Sequence, residues 1–116
     1  MQLTLADYPD AIAELERRLN LQNRQIGTLQ AAIVEIEAEV DGKIAFDANL
    51  KNDAQRKAKR TELLADTFYQ KCLADCQEAT DRRSEVQIEL DRLRNLFTIA
   101  KLDKRETIAQ LEQTIA

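Results

Sequence analysis

The feature that most constrains this chain is an uninterrupted helical pattern that begins at Asn52 and runs to about Leu102. The stretch has no glycine and no proline, and its apolar residues recur at helical spacing. Asn52 with Gln55 three residues later predicts a capped helix start, because both side chains can bond free N–H groups there. A helix of about 50 residues would be about 75 Å long, more than a compact domain of this mass can surround. The stretch therefore requires a partner helix.

An earlier periodic stretch can provide that partner. Pro9 suits a first helical turn, and apolar positions then follow at alternating spacings of three and four without a slip. This is the seam of a coiled coil over about four heptads, interrupted by one glutamine. The seam predicts a first helix over about residues 9–41, ended by Gly42 in the left-handed conformation. Its positions are Ile12, Leu15, Leu19, Gln22, Ile26, Leu29, Ile33, Ile36 and Val40.

Together the two stretches predict an all-α fold, in which an antiparallel coiled-coil hairpin forms one elongated helical domain over residues 1–116 and assembles into a bundle. Residues 42–52 would connect the first helix to a second over about residues 53–102. Three apolar residues of the connection are expected to cover the end of the hairpin: Ile44, Phe46 and Leu50. Residues 1–8 are interpreted as a loose lead-in.

The second helix carries a seam of its own, which includes both cysteines. Folding it back on the first helix places Leu29 near Ala65 and Ile12 near Arg83, so that the start of the first helix, at about Tyr8, lies opposite Val86. The most apolar part of the second helix would then have no partner within the hairpin. Since exposed patches of that size mark association sites, we predict a surface for self-association and for a protein partner: Val86, Leu90, Leu93, Leu96, Phe97, Ile99 and Leu102.

The C-terminal segment, residues 103–116, allows two arrangements. Asp103 and Glu106 can form a capping box that begins a short third helix, with Ile108, Leu111 and Ile115 on one side. Alternatively the second helix continues straight and pairs with another copy of the chain. Homo-oligomerisation is expected in either case.

Histidine, on which many catalytic sites depend, is absent from the sequence. Without histidine there is no His-based acid–base catalysis, no Ser-His or Cys-His nucleophile and no His-containing zinc site. Cys72 and Cys76 lie one helical turn apart and could supply half of a thiolate metal site or an intermolecular disulfide. The favoured interpretation is that both are small apolar seam residues. We therefore predict no enzyme, no cofactor and no metal.

A cluster of basic residues at the start of the second helix allows a role in binding phosphate. Antiparallel folding would bring this cluster beside acidic residues between Glu35 and Asp41, so internal charge compensation is the favoured interpretation. The net charge of the chain is −4, whereas proteins that bind duplex DNA are usually basic. Nucleic acid is therefore not the favoured partner. The candidate phosphate contacts are Lys51, Arg56, Lys57, Lys59 and Arg60.

The chain shows no apolar run long enough to span a bilayer and no signal peptide at its N-terminus. Two cysteines without a leader suggest reduced thiols. We expect a cytoplasmic protein without a membrane contact.

The run from Phe46 to Lys57, in which Asn52 is followed by Asp53 and Arg56, resembles a turn of small phage and mobile-element coiled-coil proteins. The resemblance covers about residues 12–102 and extends to Tyr69 and the run 88–97. Leu50 and Lys51 depart from it, since an aromatic residue usually stands before the asparagine. The resemblance implies a link to phage recombination or replication modules and carries no catalytic residue. The leading hypothesis is a structural interaction protein; the alternative is an accessory protein that contacts nucleic acid or a DNA-bound protein.

Overall fold

The computed structural model describes residues 3–115. A short 3-10 helix at Leu5–Asp7 precedes three α-helices, which are α1 (Tyr8–Ala45), α2 (Asp53–Leu64) and α3 (Thr67–Ile115). No β-strand occurs between residues 3 and 115, so the predicted all-α class is confirmed. None of these helices has a stretch that is both long and apolar enough to cross a bilayer.

α1 extends past the end predicted at Asp41. Neither glycine of the chain has a positive φ, and the helix continues through Gly42 to Ala45. A glycine ends a helix by adopting the left-handed conformation, so Gly42 in ordinary helical geometry does not terminate α1. The N–H of Phe46 donates to the carbonyl of Gly42 at 3.1 Å and closes the last turn.

The start of α2 follows the predicted cap. The side chain of Asn52 accepts a hydrogen bond from the N–H of Gln55 at 2.9 Å, which confirms Asn52 as the N-cap. The reciprocal bond differs from a standard capping box. The side chain of Gln55 accepts from the N–H of Lys51 at 2.6 Å, one residue before the cap.

The predicted second helix is interrupted between Leu64 and Thr67. The Asp66 carboxylate accepts from the N–H of Tyr69 at 3.2 Å, which makes Asp66 the N-cap of α3. The Gln70 side chain donates to the carbonyl of Leu64 at 2.9 Å and satisfies an exposed carbonyl at the end of α2. Because these side chains satisfy both helix ends, the break requires neither glycine nor proline.

The C-terminal segment continues α3 and does not begin a third, folded-back helix. α3 extends without interruption to Ile115, and Ala116 lies outside the described residues. The carbonyl of Asp103 accepts from the Thr107 hydroxyl at 3.0 Å, a bond between residues one turn apart in a continuous helix. The straight arrangement is therefore the one observed.

The residues before α1 are ordered around a cap, contrary to the loose lead-in predicted for residues 1–8. The Asp7 carboxylate accepts from both the hydroxyl and the N–H of Thr4, at 2.7 Å and 3.0 Å. These two bonds, the hydroxyl bond being the larger cause, lower the pKa of Asp7. Tyr8 is buried and Leu3 packs against the same core. The prediction for Met1 and Gln2 lies outside the described residues.

The chain forms two compact units. The terminal unit consists of the described residues within Met1–Leu21 and Arg83–Ala116. Its core contains four buried side chains, with half-buried apolar residues around them. The tyrosine at the start of α1 stacks on Phe97 at 5.4 Å between ring centroids, and Glu16 pairs with Arg94 at 3.1 Å. The start of α1 and the later part of α3 therefore pack against each other in this unit. The buried residues are Tyr8, Leu15, Leu90 and Leu93.

The central unit, Gln22–Arg82, combines the second half of α1 with α2 and the start of α3. Polar contacts join α1 to each of the other two helices. The Tyr69 hydroxyl donates to Glu37 at 2.6 Å, and Arg60 donates to Asp41 at 2.9 Å. The buried apolar side chains of the unit are Val40, Ile44, Tyr69, Cys72 and Ala79.

The predicted pairing between the helices is displaced by about three helical turns. In the terminal unit Tyr8 meets Phe97 instead of Val86, and in the central unit Tyr69 meets Glu37. Because α1 ends later than predicted, the connection to α2 begins later in the chain. The break at residues 65–66 then shifts the pairing of α1 with α3 further. The seam itself is unaffected, since all nine of its positions in α1 are buried or half-buried.

Candidate interaction surface

The surface predicted from the sequence divides into an internal part and an exposed part. Leu90 and Leu93 are buried in the core of the terminal unit. Three others are half-buried against that core: Val86, Leu96 and Phe97. Only Ile99 and Leu102 remain exposed, with 53% and 55% of each residue accessible. The prediction that this whole surface lacks a partner is therefore wrong for five of its seven residues.

The start of α1 covers those five residues. Tyr8 stacks on Phe97 with an interplanar angle of 16°, and Leu3 extends the covered region by packing on the same cluster. The Lys101 ammonium group lies 4.4 Å from the centre of the Phe97 ring on α3, a favourable cation–π distance. A signal for Tyr8 was present in the sequence, because Tyr8 stands four residues before Ile12 and continues the seam of α1.

Beyond this covered region, α3 is exposed at every residue from Lys101 to Ile115. Besides Leu102, three large apolar side chains lie on this segment, and we refer to these three as the distal strip: Ile108, Leu111 and Ile115. Their exposed fractions are 44%, 58% and 85%. The sequence had placed these three residues on one side of a helix, and the described helix retains that arrangement.

The distal strip continues the face of α3 that packs against α1. Its members lie 18 residues, or five helical turns, beyond three core residues of the same helix. Those core residues are Leu90, Leu93 and Phe97. Because 18 residues return a helix to the same orientation, the strip points in the direction of the core residues. Beyond the part of α3 that the start of α1 covers, this face therefore carries large apolar residues again, with Lys104 between Phe97 and the strip.

Polar residues flank the distal strip in an ordered way. Arg105 and Glu112 lie on one side, seven residues apart, and Thr107 and Thr114 lie on the other. Neither Arg105 nor Glu112 forms an ion pair with any residue in the range 3–115. One side of the strip thus presents a free cation and a free anion.

A separate groove lies on the terminal unit near the exposed part of the predicted surface. It has a volume of about 650 Å³ and is lined in part by Leu3, Leu96 and Ile99. Ile99 thus borders a concave surface, whereas Leu102 and Ile88 are exposed on the outer face of α3, with 55% and 68% accessible.

The candidate phosphate contacts are largely engaged with acids. Arg60 pairs with Asp41 on α1 at 2.9 Å, which confirms charge compensation for this residue, and the bond to Asp41 raises the pKa of Arg60. Arg56 pairs with Asp53 at 2.9 Å and Lys59 with Glu62 at 3.6 Å. Within the described chain, Lys51 and Lys57 form no ion pair.

Tyr69 and Glu37 form a contact that the sequence did not reveal. The bond from the Tyr69 hydroxyl to the Glu37 carboxylate, followed by burial, raises the pKa of Tyr69. The sequence placed Tyr69 on the seam but paired it with a different part of α1. An alternating seam shows that a residue faces inward without showing which residue lies opposite.

The two cysteines occupy positions along the inward face. Cys72 is buried, Cys76 is half-buried, and both are free thiols. Residues 3–115 contain no group of three or more histidine, cysteine, aspartate or glutamate side chains positioned to hold a metal ion. Their location fits the interpretation of small seam residues.

The connection between α1 and α2 differs from the predicted apolar cap. Ile44 is buried and Leu50 is half-buried, but 93% of Phe46 is exposed. Phe46 follows the last residue of α1, and the helix that continues through Gly42 carries it beyond the core. The prediction that all three residues cover the end of the helices is wrong for Phe46.

Comparisons of the chain with models of protein families, with curated proteins and with solved structures gave no match. The resemblance to phage and mobile-element coiled-coil proteins therefore stays a prediction.

Proposed function

We propose that this chain is a non-enzymatic structural protein that self-associates through the exposed end of α3 and docks a protein partner. In this proposal α1 pairs with α2 and α3 as an antiparallel coiled-coil hairpin, and the end of α3 joins copies into a larger helical bundle. A role beside a phage recombination or replication module, which the resemblance implies, would use the protein as such a connector.

The distal strip is the observation that supports self-association. It continues the core-facing side of α3 after α1 has ended, and its three side chains are 44–85% exposed. Burying such side chains gains about 1–2 kcal/mol each. A second copy offers an equivalent strip, so one contact would bury six large side chains. Since the strip is short, we expect a weak oligomer that forms at micromolar concentrations or above.

Light scattering tests this function directly. We expect the mass to rise above the 13.3 kDa of one chain as the concentration approaches about 100 μM. Ile108→Gln/Leu111→Gln should restore the single-chain mass without changing the helical circular dichroism signal. Ile88→Gln is the matched control, because Ile88 is 68% exposed on another face of α3. A single-chain mass for the unmodified protein at this concentration would refute self-association.

Docking of a protein partner is assigned to Ile99 and Leu102, the exposed remainder of the surface predicted from the sequence. Ile99 borders the groove of the terminal unit, and a groove of this kind suits the apolar face of an amphipathic helix. Ile99→Gln/Leu102→Gln should leave the mass of the oligomer unchanged. If this variant dissociates the oligomer, these residues serve self-association and the assignment to a partner is wrong.

A further inference from the structure

The flanks of the distal strip contain information about how two copies would pair. The strip continues toward the core through Lys104, which lies four residues before Ile108 and shares its face. Arg105 and Glu112 follow the strip on one side at heptad spacing. The strip is therefore one seam with one charged flank, and the order of its charges constrains both the orientation and the register of a partner helix.

The other flank of the strip consists of Thr107 and Thr114, whose hydroxyl groups already donate hydrogen bonds within α3. The Thr107 hydroxyl donates to the carbonyl of Asp103 at 3.0 Å, and that of Thr114 donates to the carbonyl of Gln110 at 2.9 Å. Threonine in a helix that bonds its own backbone in this way presents mainly its methyl group to a neighbour. A helix can thus pack against this flank without leaving a hydroxyl donor unpaired.

We infer that the ends of α3 from two copies pair antiparallel about a two-fold axis, with Ile108 against Leu111 of the second copy and Arg105 against Glu112 of the second copy. This inference rests on the proposed self-association and specifies its geometry. Each contact occurs twice, since a two-fold axis makes the same patch meet itself. Lys104 faces Ile115 of the second copy and covers it with its aliphatic stem.

Antiparallel pairing follows from the position of the charges. In an antiparallel pair related by a two-fold axis, the same flank of each helix lies side by side, so the Arg105 and Glu112 flank meets its own copy. In a parallel pair this flank would meet the threonine flank instead, and Glu112 would lie beside Thr107 of the second copy. Only the antiparallel arrangement brings the free cation and the free anion together.

The register follows from the same pair of residues. With Ile108 opposite Leu111, Arg105 of each copy lies beside Glu112 of the other. A shift by one heptad in one direction would place Arg105 opposite Arg105, and a shift in the other direction would place Glu112 opposite Glu112. Like charges opposite each other are unfavourable, so the observed order of charges selects one register among those that keep the strip buried.

Charge reversal tests the orientation and the register in the full-length protein. Arg105→Glu and Glu112→Arg should each weaken self-association by about 5- to 30-fold, because each places two like-charge contacts at the interface. The double variant should recover the original affinity. An equimolar mixture of the two single variants should associate more tightly than either alone, since opposite charges then meet at both contacts. Analytical ultracentrifugation measures all four cases.

Disulfide formation provides a second measurement that does not depend on charge. In a Cys72→Ala/Cys76→Ala background, Ile108→Cys mixed with Leu111→Cys should cross-link faster than either variant alone. A parallel pair would give the opposite order, because identical positions face each other there. Cross-linking requires Cα atoms about 4.4–6.8 Å apart, which only facing residues satisfy. Unchanged circular dichroism of each variant serves as the folding control.

The outcomes separate this geometry from the function on which it rests. Self-association that is insensitive to charge reversal, or cross-linking that is fastest between identical positions, would overturn the antiparallel geometry and leave self-association intact. A single-chain mass at high concentration would overturn both. Recovery in the double variant together with preferential cross-linking in the mixture would support the antiparallel pair, and no heterologous protein is needed for either measurement.

Discussion

Leu90 provides the sharpest test of the core described for the terminal unit. Only 1% of this residue is exposed, and no other large side chain among the described residues is buried as completely. Leu90→Ala would remove buried methyl groups and leave a cavity between α1 and α3. Such substitutions cost about 2–5 kcal/mol in protein cores. Because this unit consists of two packed helical segments, its side chains can close around part of the cavity. We therefore expect the free energy of unfolding to fall by about 2–3 kcal/mol.

The assay is urea unfolding followed by circular dichroism, carried out in the Ile108→Gln/Leu111→Gln background so that association does not contribute. Ile88→Ala is the matched control, since Ile88 is 68% exposed, and it should change stability by less than about 0.5 kcal/mol. The sequence had assigned Leu90 to an association surface. If Leu90 served only association, Leu90→Ala would lower the free energy of unfolding by no more than Ile88→Ala does in this background. That result would refute the burial of Leu90 by α1.

Two further predictions follow from polar contacts of the central unit. Tyr69→Phe removes the 2.6 Å hydrogen bond to Glu37 and should cost about 1 kcal/mol at neutral pH. That bond raises the pKa of Tyr69, so its contribution is fully present below about pH 10 and is lost as the pH rises further. Urea titrations at several pH values should show the difference between the two proteins shrinking above that point, whereas a constant difference would contradict the role of the phenol. The protein should cause no mobility shift of single- or double-stranded DNA at about 50 mM salt, because three of the five cations at residues 51–60 are paired with acids. A shift at this salt concentration that disappears by about 200 mM would favour the nucleic-acid alternative.

Local features of the fold could be predicted from the sequence because they depend on neighbouring residues. The all-α class follows from composition and periodicity, and Asn52 is a cap that its own side chain creates. The inward face of α1 was also predictable, since alternating spacings of three and four place residues on one side of a helix. The break before α3 was missed because Asp66 and Gln70 satisfy the helix ends without a glycine or proline.

The register between the helices could not be predicted, and the error in the surface came from it. A heptad seam repeats, so sliding one helix by whole turns keeps apolar residues facing each other and changes little in the pattern. The register depends on Tyr8, which packs on Phe97, and on Gly42, through which α1 continues. The interpretation of the sequence placed both residues outside the first helix. Once the pairing moves by about three turns, the uncovered part of α3 moves with it. The core-facing side of α3 therefore becomes uncovered after Ala100 instead of after Val86.

The length of α3 gives the exposed segment a property that an isolated peptide would lack. A free helix of about 15 residues is marginal in water, because the first turn must be nucleated at a cost in entropy. Residues 101–115 extend a helix whose earlier turns already pack in the core of the terminal unit. Each further residue therefore adds to an existing helix, and no new helix has to be nucleated. Lysine, arginine, glutamate, glutamine and leucine in this segment favour that propagation. Two copies would then meet as preformed helices, and association would lose less conformational entropy than binding coupled to folding. Because the helix that carries the strip is already ordered, even a short apolar strip can support a dimer with this smaller loss of conformational entropy.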